Sequence, residues 1–152
     1  MLTQEEFAKK ARHKLTYLLS RREYSQKELL QKLVSDDIPV DIASDVLAQF
    51  SEKNLQSDLR FAESVVNSAY NKGKGPLHIQ HKLQANDIEY ALVSSQIRDD
   101  NFDWFSLALK VRCKRFGNEI PNDWKVLQKQ KRFLAQRGFE AAHIEAAFSS
   151  LE

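Results

Sequence analysis

The chain has 152 residues, 42% hydrophobic and 29% charged, with a net charge of +2, a composition that excludes a disordered chain. No uninterrupted apolar stretch approaches the roughly 18 to 20 residues of a membrane-spanning helix, and the acidic N-terminus around Glu5 and Glu6 does not start a secretory signal, so a cytoplasmic protein is expected. Four glycines and three prolines are too few for a sandwich or barrel of short strands, and one cysteine, Cys113, excludes an internal disulfide and a cysteine-based zinc site.

Phe7, Ala8, Ala11, Leu15, Leu18 and Leu19 recur at helical steps, which predicts a first helix from about Gln4 to Ser20. Ser25 with Glu28 three residues on is a capping-box pattern, and it opens a short helix with Leu29, Leu30 and Leu33 on one face. Asp36-Asp37-Ile38-Pro39 breaks that helix, and Pro39 suits the first turn of a third, whose Ile42, Ala43, Val46, Leu47 and Phe50 point inward.

Ser57-Asp58 caps a fourth helix built on Phe61, Ala62, Val65 and Ala69. Gly73-Lys74-Gly75-Pro76 ends it and begins a fifth, with Ile79 and Leu83 buried. Asp87 starts a sixth helix using Ala91, Leu92 and Ile97. Phe102, Phe105, Leu109, Cys113 and Phe116 fall on one face of a seventh. Ile120-Pro121-Asn122-Asp123 is a turn and cap, after which Val126, Leu127, Phe133 and Leu134 form the apolar side of an eighth helix ended by Gly138. Glu140 to Leu151 supplies the closing helix.

Leu33, Leu83 and Phe133 stand 50 residues apart in similar stretches, the third carrying one extra residue before its apolar anchor, so the chain reads as three copies of one three-helix unit: residues 1–53, 54–100 and 101–152. Each copy is near the lower size limit for folding alone, and stacked copies share apolar contacts. The expected fold is all-α, three tandem three-helix repeats in an elongated array that contacts another macromolecule through a surface.

Catalytic chemistry is missing. Gly73-Lys74-Gly75-Pro76 lacks the glycine spacing and the Lys-Ser/Thr pair of a nucleotide-binding loop, though Lys74 remains a candidate contact for a phosphate or carboxylate. His78 and His81 share a helical face without a third ligand nearby, which favours two solvent-facing histidines over a metal site, and no cofactor is expected. Cys113 reads as a buried small hydrophobe.

Charge is the informative feature. All nine basic residues of the last third fall between Lys110 and Arg137, opposed there only by Glu119 and Asp123. Lys110 and Lys114 lie one turn apart, with Arg115 beside them, and Lys125, Lys129 and Arg132 form a stripe at helical spacing opposite Leu134. With Arg137 these are candidate contacts for a polyanion or an acidic protein surface. Phe116 and Trp124 flank the patch; core positions are favoured for both, with base stacking as the alternative. Arg21, Arg22 and Lys27 make a smaller cluster of candidate partner or DNA contacts, partly cancelled by Glu23 and Glu28, where local ion pairs are the favoured arrangement.

Ser20-Arg21-Arg22-Glu23-Tyr24-Ser25-Gln26-Lys27-Glu28-Leu29-Leu30-Gln31-Lys32-Leu33 resembles the N-terminal signature of the RecX regulatory proteins. Leu55-Gln56-Ser57-Asp58-Leu59-Arg60-Phe61-Ala62, Gly75-Pro76-Leu77-His78-Ile79 and Arg132-Phe133-Leu134-Ala135-Gln136-Arg137-Gly138-Phe139 resemble its later blocks in the same order. Gln136 departs from the pattern, standing where the family block often has a second basic residue. The resemblance implies a curved, elongated body that is not an enzyme. It implies a modulator of the RecA recombinase in recombination, DNA repair and the SOS response, one that binds RecA and its filament on single-stranded DNA and restrains filament growth, ATP hydrolysis and strand exchange; a monomer is expected. Weak direct DNA binding is compatible with it. The competing class is a stand-alone helical DNA-binding protein, which would bind DNA with strong salt dependence and without any recombinase.

Overall fold

A computed structural model of the chain describes residues 1–98 and 101–149, and these hold nine helices and no strand. In order they are α1 (Gln4–Arg21), α2 (Gln26–Ser35), α3 (Val40–Glu52), α4 (Asp58–Asn71), α5 (Pro76–Ala85), α6 (Tyr90–Ile97), α7 (Trp104–Phe116), α8 (Trp124–Gln136) and α9 (Ala141–Ala147). The last predicted residue of the closing helix, Leu151, lies outside the described residues. No helix among those described is long and apolar enough to cross a membrane.

Local chemistry places the helix ends. Thr3 caps α1 by accepting from the Glu6 N–H, and Ser25 and Glu28 form the reciprocal box at the start of α2, Ser25 Oγ accepting from Glu28 N–H and the Glu28 carboxylate from Ser25 N–H, both at 3.0 Å. Asp123 caps α8. At its other end α2 closes in a Schellman motif: Ile38 N–H donates to the Leu33 carbonyl and Asp37 N–H to Val34, with Asp37 left-handed at φ 65°. The same pair of bonds ends α8, from Phe139 to Leu134 and from Gly138 to Ala135.

Two compact units divide the contacts, the first comprising residues 1–64 and 86–88, the second 65–85 and 89–152. The core of the first is built from α1, α2 and α3, with Leu15, Leu29, Leu33 and Ala43 wholly buried and Phe50 closing one side. In the second, Val66, Ile79, Leu83, Ala108, Leu134 and Phe139 are almost wholly buried. One close crossing is peculiar to this unit. Gly75 N–H and Leu77 N–H, at the start of α5, donate to the carbonyls of Arg137 and Gly138 just beyond α8, each at 2.8 Å, so orphan groups of two helix ends satisfy each other.

Three apolar faces differ from expectation. Leu33 and Leu83 are buried as expected, but their counterpart in the third repeat is Leu134, 51 residues on, while Phe133 is only half-buried. The extra residue therefore precedes the anchor leucine. In α6 the buried residue is Val93; Ala91 is exposed, because the helix begins at Tyr90, three residues later than Asp87. In α7 the buried face is Trp104, Leu107, Ala108, Val111 and Arg112, whereas Phe105 and Leu109 are exposed and Cys113 and Phe116 half-buried. Val126 of α8 also faces outward.

Candidate binding surface

The predicted basic residues of the first unit are engaged within it. Arg22 places its two terminal nitrogens on Glu28 at 3.4 and 3.1 Å and covers the Tyr24 ring 3.5 Å from its centroid, while Lys27 pairs with Asp87 at 3.5 Å. Arg21 lies over Tyr17. Such exposed pairs contribute about 0–1 kcal/mol each, but they cancel the local field. Of the expected pairs with Glu23 and Glu28, that of Arg22 with Glu28 forms, whereas Lys27 turns to Asp87 and Glu23 to Arg60.

In the second unit the charges converge instead. The last turn of α4, α7 and α8 enclose an open groove of about 670 Å³ into which Lys72, Lys110, Lys114, Arg115 and Arg137 project, with Tyr70 and Phe133 among its walls and no carboxylate in its lining. None of these five cations has a carboxylate within ion-pair distance among the described residues. Like charges gathered on low-dielectric walls raise the local potential and draw in anions. Phe133 organises one side: both the Arg115 and the Arg137 guanidinium lie over its ring at 5.4 Å, and Phe116 meets it edge-on at 5.3 Å. Tyr70 is fixed from behind by Phe102 and Trp104 at 5.1 and 5.3 Å.

A second basic surface adjoins the groove. Lys125, Lys129 and Arg132 are exposed and fall within about 60° of one another around α8 at 100° per residue, diametrically across from buried Leu134. Trp124, at the start of the same helix, is 70% exposed, so the core position favoured from sequence is not the one it takes. Two of the nine basic residues leave the patch. Lys131 pairs with Glu145 at 3.0 Å, and Arg112 is 4% exposed, donating to the Asn118 carbonyl and to Cys113 Sγ beneath the Phe148 ring. Lys74 is half-buried and does not line the groove. Burial first, then the charges of Lys74, Lys82 and His81, hold His78 below the ordinary imidazole value.

Sequence reasoning missed Lys72 and Tyr70. Both lie at the end of α4, next to a stretch that reads only as a helix stop, and it is tertiary packing that sets them opposite Lys110 and Lys114. Buried Arg112 was also missed, its place on an apolar face being masked by neighbouring Cys113 and the surrounding lysines.

Family models for the first, second and third three-helix domains of RecX match residues 11–50, 57–95 and 103–148. The chain is 36% identical over 135 residues to the regulatory protein RecX of Acinetobacter baylyi, covering 89% of this chain and 84% of the relative. The chain belongs to the RecX family. A RecX of Legionella pneumophila is 32% identical over 89% of this chain and 90% of its own length. RecX from Lactobacillus salivarius, a crystal structure, superposes with a TM-score of 0.76 at 22% identity, covering 94% of this chain and 95% of that one, which shows the shared fold of tandem three-helix repeats. RecX proteins are regulators, and nothing in this membership indicates catalysis.

Proposed function

We propose that this RecX-family protein regulates the RecA recombinase by binding the filament that RecA forms on single-stranded DNA, restraining filament extension, ATP hydrolysis and strand exchange. The observation that carries the reading is the uncompensated outer face of α8, where Lys125, Lys129 and Arg132 stand side by side and exposed with no carboxylate within ion-pair distance among the described residues. A face of this kind suits electrostatic docking on an acidic assembly, in which charge complementarity sets encounter rate and register. The other repeats would then engage neighbouring recombinase subunits, obstructing monomer addition and the subunit motions of ATP turnover.

The test is inhibition of single-stranded-DNA-dependent ATP hydrolysis by RecA. Wild-type protein should inhibit it, and the triple variant Lys125→Glu, Lys129→Glu, Arg132→Glu should lose inhibition at least tenfold while keeping its helical circular dichroism. Full inhibition by the triple variant would refute this docking face.

A further inference from the structure

The groove of the second unit offers rings as well as charges, and docking through the outer face of α8 leaves it unoccupied. We propose that this groove binds a segment of single-stranded nucleic acid directly, with phosphates on the five cations and a base against Phe133. The inference goes beyond recombinase docking and does not require it.

Three observations favour a strand. The cations stand on three separate elements: Lys72 follows α4, Lys110 and Lys114 lie a turn apart on α7, and Arg115 and Arg137 come from the ends of α7 and α8. Spread along a trough, they match charges repeated along a backbone better than one compact anion. Their lining contains no acidic residue to repel phosphate. The two arginines hold their guanidinium groups over Phe133, so a base entering the groove meets flat cations layered on an aromatic ring, the two kinds of surface on which unpaired bases stack. A carboxylate-bearing partner would use the charges but has no need of the ring.

The shape points the same way. A concave trough of about 670 Å³ admits a few nucleotides of a single strand, whereas duplex DNA is read by a convex helix entering its groove. The trough is also not a dead end. Lys129 lies about 40° around α8 from Phe133, so a strand leaving the groove meets the exposed face formed by Lys125, Lys129 and Arg132.

The experiment measures fluorescence anisotropy of a labelled oligo-deoxythymidylate of about twenty nucleotides with the full chain alone and no recombinase. Wild-type protein should bind at low salt, and log affinity should fall with log salt with a slope of roughly −2 to −3.5, the release expected for about three to five phosphates on a single strand. Lys110→Glu with Lys114→Glu should weaken binding at least tenfold. Phe133→Leu should weaken it about fivefold or more, and an abasic strand should not distinguish Phe133→Leu from wild type. Lys72→Glu is the safeguard against misfolding, because Lys72 is exposed beyond the end of α4; it should cost threefold or more with an unchanged thermal melt.

Undetectable or salt-insensitive binding would overturn the proposal. So would duplex of equal length binding as tightly, or poly-glutamate competing as well as the strand, the latter assigning the groove to an acidic protein. Loss of strand binding with full inhibition of RecA ATP hydrolysis by the groove variants would show the two surfaces to be separate and leave the recombinase reading standing. Strand binding without any effect on RecA would sink that reading alone.

Discussion

Gly75 and Gly138 set how closely the end of α8 approaches the start of α5. A Cβ on Gly75 would lie 2.5 Å from the Gly138 carbonyl oxygen, and one on Gly138, itself at φ 97°, would lie 2.6 Å from the His78 backbone nitrogen. Backbone cannot swing aside as a side chain can, so each substitution by alanine must force the helix ends apart and break the 2.8 Å bonds between them. We expect Gly75→Ala and Gly138→Ala to cost about 2–3 kcal/mol each, which a thermal melt would register as a drop of about 5–10 °C for a chain of this size. The opposite sign is expected at Asp37, which occupies the left-handed position closing α2 with its side chain exposed. Asp37→Gly should raise stability by about 0.5–1 kcal/mol, because glycine carries no steric penalty there. His143 supplies a pH dependence. Its ring is buried between Phe105 and Phe139, and Nδ1 accepts the Glu140 N–H at 3.2 Å. Burial lowers its pKa from the ordinary 6.5, against the opposing pull of Glu140 and Asp103. The unfolded chain therefore takes up the proton first as pH falls. Stability is complete above the ordinary imidazole value and declines as pH drops through it toward the folded one. Melts between pH 7.5 and 5 should show that decline, and His143→Gln, which can still accept the Glu140 N–H, should flatten it, leaving the contribution of His78 in the same direction.

Helix α8 shows what a repeat can and cannot reveal about an element. Its anchor Leu134 is equivalent to Leu33 and Leu83, so Gln130, four residues before it, is the counterpart of Leu29 and Ile79, both wholly buried. Gln130 carries a buried Oε1 with no hydrogen-bond partner among the described residues. An orphaned buried carbonyl costs about 1–3 kcal/mol, so Gln130→Leu should stabilise the protein by about 1 kcal/mol or more, measured as a higher denaturation midpoint at constant m-value. The equivalence was hard to see because Phe133 offers an apolar residue exactly one place early, and spacing alone favours it. Helices α1 to α5 and most of their inner faces were legible, since there polar and apolar residues alternate cleanly at helical period and Ser25, Ser57 and Pro76 mark the starts of α2, α4 and α5, whereas the Thr3 cap of α1 was missed and Pro39 precedes α3 rather than entering its first turn. In α7 periodicity failed for a physical reason. Phe105 and Leu109 continue one stripe and Trp104, Leu107 and Val111 another, and only packing against α9 decides which is inside; the arginine on the buried stripe made it look like the outer one. The candidate surface was half legible. Charge density pointed to residues 110–137, but Lys72 and Tyr70 join it through the fold, and Arg112 and Lys131 leave it for the same reason.

Across the whole molecule, similar numbers of cations are used in two ways. In the first unit Lys14 meets Asp36, Arg22 meets Glu28, Lys27 meets Asp87 and Arg60 meets Glu23, so these four cations are matched side chain by side chain. In the second unit Lys110, Lys114, Lys125, Lys129 and Arg132 have no such match among the described residues. A net charge of +2 therefore conceals a concentration of unmatched cations between Lys110 and Arg137 that a partner would feel. If partner binding follows unmatched charge, removing matched cations should change stability and leave regulation intact. Arg22→Ala should cost about 1 kcal/mol, from the lost Glu28 pair and the lost stacking on Tyr24, and Lys27→Ala should cost less than about 0.5 kcal/mol, since its pair with Asp87 is exposed. Both variants should inhibit RecA ATP hydrolysis within about twofold of wild type at 50 mM salt. Raising salt to 200 mM should weaken inhibition by both variants and wild type in parallel, because the exposed, unmatched charges of the second unit are those that screening reaches. A large loss of inhibition in Arg22→Ala, with its melting temperature barely moved, would place a contact in the first unit and show that matched charge is not silent.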